Sequence, residues 1–282
     1  MMMRMSGTTR SIALFFLFPV LAIGLRAQST PPDGKIDQLS GQIPPRFIQM
    51  LKTQLVWDDG FNRPSGPRLR FVKAEETAKP DGHFIRYRIY ADGIPEGVPY
   101  IFADWKVGTY IESLHEASTP AYVNRKGLLL TRKPGPGDED QESVSDGTEF
   151  DVGVQAAIGE PIRFLLRSQD NKILIPGTLV PFPIESTDHG CKLTALLAVP
   201  EGQAILIYGD GFVPGSEVVI HGDSSGELKE SSHAVDDRGH FEVIELPSVI
   251  GKDAGILKDS ITTKDCTVSV SIPWGKGTYQ KH

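Results

Sequence analysis

The sequence predicts an all-β protein, two β-sandwich domains in tandem with one short helix near the mature N-terminus. Three observations lead there. From Arg68 onward the chain is a succession of short runs in which apolar and polar residues alternate, the period of a half-buried strand. The runs are separated by Asp-Gly, Gly-Glu-Pro and Asp-Asn, which are turn chemistries. They fall into two sets of sandwich size, parted by the proline-rich stretch "LVPFPIES".

Taken in order, residues 1–27 read as a secretory signal peptide. A short basic start, MMMRMSGTTR, precedes an apolar run of about fifteen residues, and Leu25-Arg26-Ala27 offers a cleavage site. The run is short for a membrane span; an uncleaved amino-terminal anchor is the alternative. No cysteine lies near the cut, which argues against lipoprotein processing. No later segment approaches eighteen apolar residues, so no further span is expected.

Residues 28–66 form a lead-in punctuated by Pro31, Pro32, Pro44 and Pro45. Within it Ile43, Phe47, Ile48, Leu51 and Leu55 recur at roughly helical spacing, and a helix starting at the Pro44-Pro45 pair is expected. The first sandwich is assigned to residues 67–186, with runs "RLRFVK", "HFIRYRIYA", "PYIFADWKV", "GLLLTRK", "TEFDVGVQA", "PIRFLLRS" and "KILIPGTLV". In the second run Ile85, Tyr87 and Ile89 fall on one face and Phe84, Arg86 and Arg88 on the other. The polar stretch Lys133 to Gly147 reads as a long solvated loop, because strands continue on both sides. The second sandwich takes residues 187–282, with runs "CKLTALLAV", "QAILIYG", "SEVVIHG", "ELKESSHAV", "HFEVIEL" and "CTVSVSIPW". The runs are non-identical and form no tandem repeat.

Charge and cysteine usage narrow the function. Removing the leader, with Arg4, Arg10 and Arg26 and no acid, takes the net charge from −7 to −10. Such a chain repels phosphate backbones, and with no basic cluster a nucleic-acid partner is not expected. Cys191 and Cys266 are the only cysteines, 75 positions apart. In an oxidising compartment they are expected to pair; two buried thiols or a metal pair are the alternatives. Without C-x-x-C, a redox dithiol lacks its spacing.

The second set carries a resemblance. "YGDGFVPGSEVVI", "DDRGHFEVIELP" and "CTVSVSIPW" resemble bacterial immunoglobulin-like modules of secreted proteins, of IPT/TIG-like or transthyretin-like type, over about Cys191 to Trp274. There a G-x-G-F-x-P-G turn links two early strands and a D-x-x-G-x-F turn opens a later one. The resemblance implies an immunoglobulin-like sandwich and no functional residues, since such modules share none. Antibody hallmarks are missing: no Trp lies between the cysteines, and no Tyr sits two residues before Cys266.

Several motifs admit a chemical reading. Gly209, Gly211 and Gly215 suggest a phosphate loop, but a β-branched strand follows, no lysine sits in the turn, and Asp210 and Glu217 repel phosphate. The glycines are expected to supply positive φ, with Pro214 presetting a turn. Gly222-Asp223-Ser224-Ser225-Gly226 matches G-x-S-x-G, yet no firm helix follows as a nucleophile elbow requires. A triad of Ser224, Asp236 or Asp237, and His240 would come from one small hairpin region, so a serine hydrolase using Ser224 is a remote alternative and a polar hairpin turn the expectation.

His83, His115, His189, His221, His233, His240 and His282 show no compact zinc spacing, though His221, His233 and His240 could converge across strands. Asp138, Glu139, Asp140, Glu142 and Asp146 could hold calcium but lack the EF-hand glycine. Trp57, Trp105 and Trp274, with Tyr90, Tyr100 and Tyr110, could form a glycan-stacking face. Trp105 groups with Ile101 and is expected in the core, whereas Trp274 is expected to be partly exposed. No N-x-S/T acceptor occurs. Neither cofactor nor metal is expected. The expectation is a secreted or periplasmic, non-catalytic binding or structural module with an unknown protein or glycan partner; a carbohydrate or cell-surface adhesion module is the alternative.

Overall fold

A computed structural model of the chain describes residues 45–58, 66–79, 82–105, 114–143 and 148–280. The leader, most of the lead-in, Tyr110, Asp146 and His282 lie outside the described residues.

One helix, α1 (Pro45–Asp58), precedes the strands. The first sandwich comprises β1 (Arg68–Lys79), β2 (Gly82–Asp92), β3 (Tyr100–Trp105), β4 (His115–Glu116), β5 (Tyr122–Val123), β6 (Leu129–Leu130), β7 (Asp151–Val154), β8 (Ile162–Ser168) and β9 (Leu174–Leu179). The second comprises β10 (Ile184–Asp188), β11 (Cys191–Leu197), β12 (Ile205–Asp210), β13 (Glu217–Ser224), β14 (Glu227–Ala234), β15 (Phe241–Glu245), β16 (Ala254–Thr262) and β17 (Thr267–Gly275). The described residues are therefore all-β apart from α1 and single turns, as the alternation predicts.

The two sandwiches share one strand order. In the first, β1-β2-β7 faces β4-β3-β8-β9. In the second, β11-β12-β15 faces β14-β13-β16-β17, with β10 added beyond β11. Each is an antiparallel A-B-E sheet over a C′-C-F-G sheet, an immunoglobulin-type Greek-key order. A repeat invisible in the residues is thus present in the topology. The first copy carries an insertion between its C′ and E strands, the β5–β6 hairpin and the loop after it.

Each sandwich has its own core. Ile85, Tyr87 and Ile89 of β2 pack with Phe102, Phe164 and Leu166. Leu193, Ile205 and Ile207 pack with Val218, Ile220, Ile261 and Val268. The Cys191–Cys266 disulfide is formed, with Cα atoms 6.3 Å apart. It ties the start of β11 to the residue before β17.

A third cluster lies on the outer faces and belongs to α1. Ile48, Met50 and Leu51 pack against Leu196, Ala198, Leu206 and Tyr208 of the second sandwich. Further along the helix, Trp57 meets Trp105 on β3 of the first, with ring centroids 5.4 Å apart. Gln54, fully buried, joins both: its Nε2 donates to the Ala198 carbonyl at 2.8 Å, and its Oε1 accepts from Arg163 on β8 at 3.4 Å.

Candidate functional site in the cleft between two edge strands

The sequence motifs find specific places in this frame. Gly222 to Gly226 is the β13–β14 hairpin. Ser224 pairs with Glu227, and the two residues between them, Ser225 and Gly226, both have positive φ, as a type I′ turn demands. Asp223 Oδ1 accepts the Gly226 amide at 2.7 Å. Ser225 reaches away from the hairpin and accepts the Ile256 amide.

The hydrolase arrangement is not assembled. Ser224 Oγ is buried without a hydrogen-bond partner, and His240 pairs with Asp210. Asp236 caps its own turn by accepting the amides of Arg238 and His240, each at 2.8 Å. Nor do the three histidines converge: His221 meets Glu230 at 3.0 Å, and His233 meets Ser231 Oγ at 2.7 Å. Among the described residues, no three His, Cys, Asp or Glu side chains group closely enough to hold a metal ion.

The glycine turn is structural. Gly211 has φ +73, and a Cβ there would lie 2.0 Å from the Gly190 carbonyl oxygen; one at Gly209 would strike the Phe241 ring. The described part of the acidic loop, up to residue 143, is held by hydrogen bonds and ion pairs. Asp138 pairs with Arg132 at 2.6 Å, and Arg125 holds Glu139 and Asp140. Asn124 donates to the Asp138 and Gln141 carbonyls, and Tyr90 to that of Glu142. Those carboxylates face guanidinium groups.

All three tryptophans are buried. Trp105 lies on the outer face of β3, beneath Trp57 and beside Arg163, whose guanidinium carbon is 5.3 Å from the ring. The expected partial exposure of Trp274 is corrected: only 4 % of it is exposed, because β17 continues through Gly275 and turns the indole into the second core. Tyr90 and Tyr100 are buried as well. None of these rings offers a face to a sugar.

A feature that the motifs do not announce stands out instead. Inward positions of β13, β15 and β16 run through Val218, Ile220, Phe241, Val243, Leu257 and Ile261, all apolar and buried. Near the β13–β14 turn those faces become polar, at Ser224, Glu245 and Asp259, and the adjoining edge strand β14 adds Lys229 and Ser231. There β14 and β15, edge strands of opposite sheets, leave a cleft of about 420 Å3 lined by Ser224, Lys229, Ser231 and Glu245 together with Ile220, Ile244 and Leu257. Exposed Leu228 stands on its wall.

The electrostatics are unusual for a sandwich interior. Asp259 pairs in register with Gly222, and its Oδ1 fills the space that a side chain there would need, 3.1 Å from the Cβ position. It is 1 % exposed, and its Oδ2 has no hydrogen-bond partner. Burial pushes its pKa up to about 7, the charge of Glu245 adds to this, and Lys229 opposes it. Lys229 Nζ is 3.7 Å from Glu245 Oε2. An inward carboxylic acid, a second carboxylate and an unpartnered hydroxyl can bind and orient a polar ligand, or exchange a proton with it near neutrality.

Sequence reading missed Asp259, Glu245 and Lys229. The available signal was "GILKDSIT", where Leu257 and Ile261 share a face with an acid between them.

These features define a class, an all-β protein of two fused immunoglobulin-type sandwiches with a polar cleft in the second. Comparison with protein-family models and with curated proteins returns no match. Among solved structures, a red sea bream transglutaminase aligns with 79 % of this chain and 33 % of its own, at 11 % identity and a TM-score of 0.21. This chain thus spans about a third of that protein's length, and a likeness so slight assigns neither family nor activity.

Proposed function

We propose that the chain is an exported, non-catalytic binding module whose contact site is the cleft between β14 and β15. The observation that carries this reading is the change from apolar to polar at the inward positions around that cleft. Burying polar groups without partners costs stability, and ligand sites are concave places where a few polar groups converge among apolar walls. Export is supported by the basic and apolar leader and by the pairing of Cys191 with Cys266. Among the described residues no helix is long and apolar enough to cross a membrane. The non-catalytic part is supported by Ser224 Oγ, which meets no base, while His240 pairs with Asp210 and Asp236 caps its own turn.

The test uses the exported chain. Its amino terminus is expected at Gln28. In 1H–15N spectra titrated with sugars, amino acids, amines, carboxylates and alcohols, shifts are expected to cluster at residues 220–231 and 244–248. Shifts scattered elsewhere would remove the cleft from consideration. Ester hydrolysis lost on Ser224→Ala would overturn the non-catalytic reading.

A further inference from the structure

We propose that the cleft receives a primary alkylammonium group, borne by a free aliphatic amine or by a lysine side chain of a partner. This rests on the reading of the cleft as the binding site and names its ligand chemistry. The walls suit the two ends of such a group. Ile220, Ile244 and Leu257 supply apolar surface for a methylene stem, while Ser224 and Glu245 supply acceptors for the charged head. Ser224 Oγ and Asp259 Oδ2 are buried acceptors with no partner, and an ammonium brings three donors.

The charge balance points the same way. Glu227 and Glu245 line the cleft and Asp259 lies behind Gly222, against Lys229 as the cation lining it. An anion would meet repulsion there. Calcium takes six to eight oxygens, and no metal-holding group is found among the described residues.

The protein already displays the interaction in weak form. Lys229 leans its own ammonium toward Glu245 at 3.7 Å while its side chain remains 72 % exposed. A pair so exposed and so long holds weakly, and an incoming ammonium can replace it.

Acidity adds a signature. Asp259 is flanked in register by Gly222 on β13 and Val270 on β17, and the charges that act on it are those of Glu245 on β15 and Lys229 on β14; His233, the other titratable group on that face of β14, lies opposite Val218, further along the sheet. Asp259 holds its proton up to about neutrality. A cation binds best once that proton has left, so affinity rises with pH.

The experiment is a calorimetric and 1H–15N titration of the exported chain at pH 6 and pH 8. The probes are n-pentylammonium, Nα-acetyl-lysine N-methylamide, n-pentanol and pentanoate. At least one amine is expected to bind, about tenfold more tightly at pH 8 than at pH 6, with pentanol and pentanoate far weaker. Binding of pentylammonium alone identifies a free amine as the source, and binding of the lysine derivative identifies a protein side chain. Glu245→Gln is expected to lose about tenfold in affinity. Lys229→Met, which removes an exposed competitor, is expected to gain several-fold, a result that misfolding cannot mimic.

Pentanol binding as well as the amine would overturn the ammonium assignment and leave the cleft as a binding site. Calcium chloride, titrated as a control beside the four probes, would overturn it too if it produced the same shifts in place of the amine. Silence from all four probes would do likewise, and the wider solute titration would then decide the broader reading separately.

Discussion

Asp259 is where a single residue sets a property of the whole chain. Its carboxyl titrates near 7 in the folded state against an ordinary value of 3.8. Between those values the folded chain holds a proton that the unfolded chain has released. The stability associated with the protonated acid is therefore complete below about pH 4 and is lost as pH rises through about 7. A difference of that size corresponds to at most about 4 kcal/mol. Asp259→Asn keeps the shape and removes the titration. Urea midpoints are expected to agree closely only near or below the ordinary value of 3.8, and the variant to become the more stable as pH rises toward 8. Midpoints that fall in parallel would show that Asp259 contributes nothing. The same residue explains what the sequence concealed. β16 places Leu257, Asp259 and Ile261 inward, and the acid interrupts the apolar alternation by which strands are recognised. The polar residue that marks the candidate site also hid the strand that carries it.

At the scale of elements, α1 is the least foreseeable part of the fold. Helical spacing makes the helix itself legible, but spacing says nothing of what lies beneath. Its place follows from two outer sheet faces that are apolar, Leu196, Leu206 and Tyr208 on one sandwich and Trp105 on the other. Strands buried on both faces need a second layer, and α1 supplies it to both sandwiches at once. Trp105 was expected in the core and is buried, though under the helix and not between the sheets. Gln54 is the point of closest coupling, since one amide serves Ala198 and Arg163. Gln54→Leu deprives a buried carbonyl and a buried guanidinium of a partner, at a cost of about 2–4 kcal/mol. The expected result is a lower urea midpoint with an unchanged slope. A midpoint within experimental error of the native one would show that α1 sits on the sandwiches without bracing them. Hairpins and turns, by contrast, were legible because their chemistry is local: Ser225-Gly226 and the Asp236 turn need only their own backbone.

At the scale of the molecule, the two sandwiches are linked by more than the short connection from β9 to β10. The Gly159 amide donates to Phe182, and Leu197 donates back to Gly159, both at 2.8 Å. Tyr279, beyond β17, donates its hydroxyl to Glu160 of the first sandwich at 2.6 Å. Burial first, and then that bond to Glu160, raises the Tyr279 pKa, so the phenol stays protonated and remains a donor. With α1, these contacts cross the junction at separate points, and the described residues fall in one compact unit. Such linkage predicts that damage to one sandwich is felt by both. The disulfide provides the test, because it lies wholly within the second. Its loop of 75 residues is worth about 4 kcal/mol in the chain-entropy model. In a Cys191→Ala, Cys266→Ala variant that also carries Trp274→Phe, emission comes only from Trp57 and Trp105, at the junction and the first sandwich. Far-ultraviolet circular dichroism follows both sandwiches. If the links couple them, the two probes give coincident midpoints, and that shared midpoint lies below the one measured with the cysteines restored. If the emission midpoint stays where it was while part of the dichroism is lost earlier, the sandwiches unfold independently and the contacts at the junction are only adjacent surfaces.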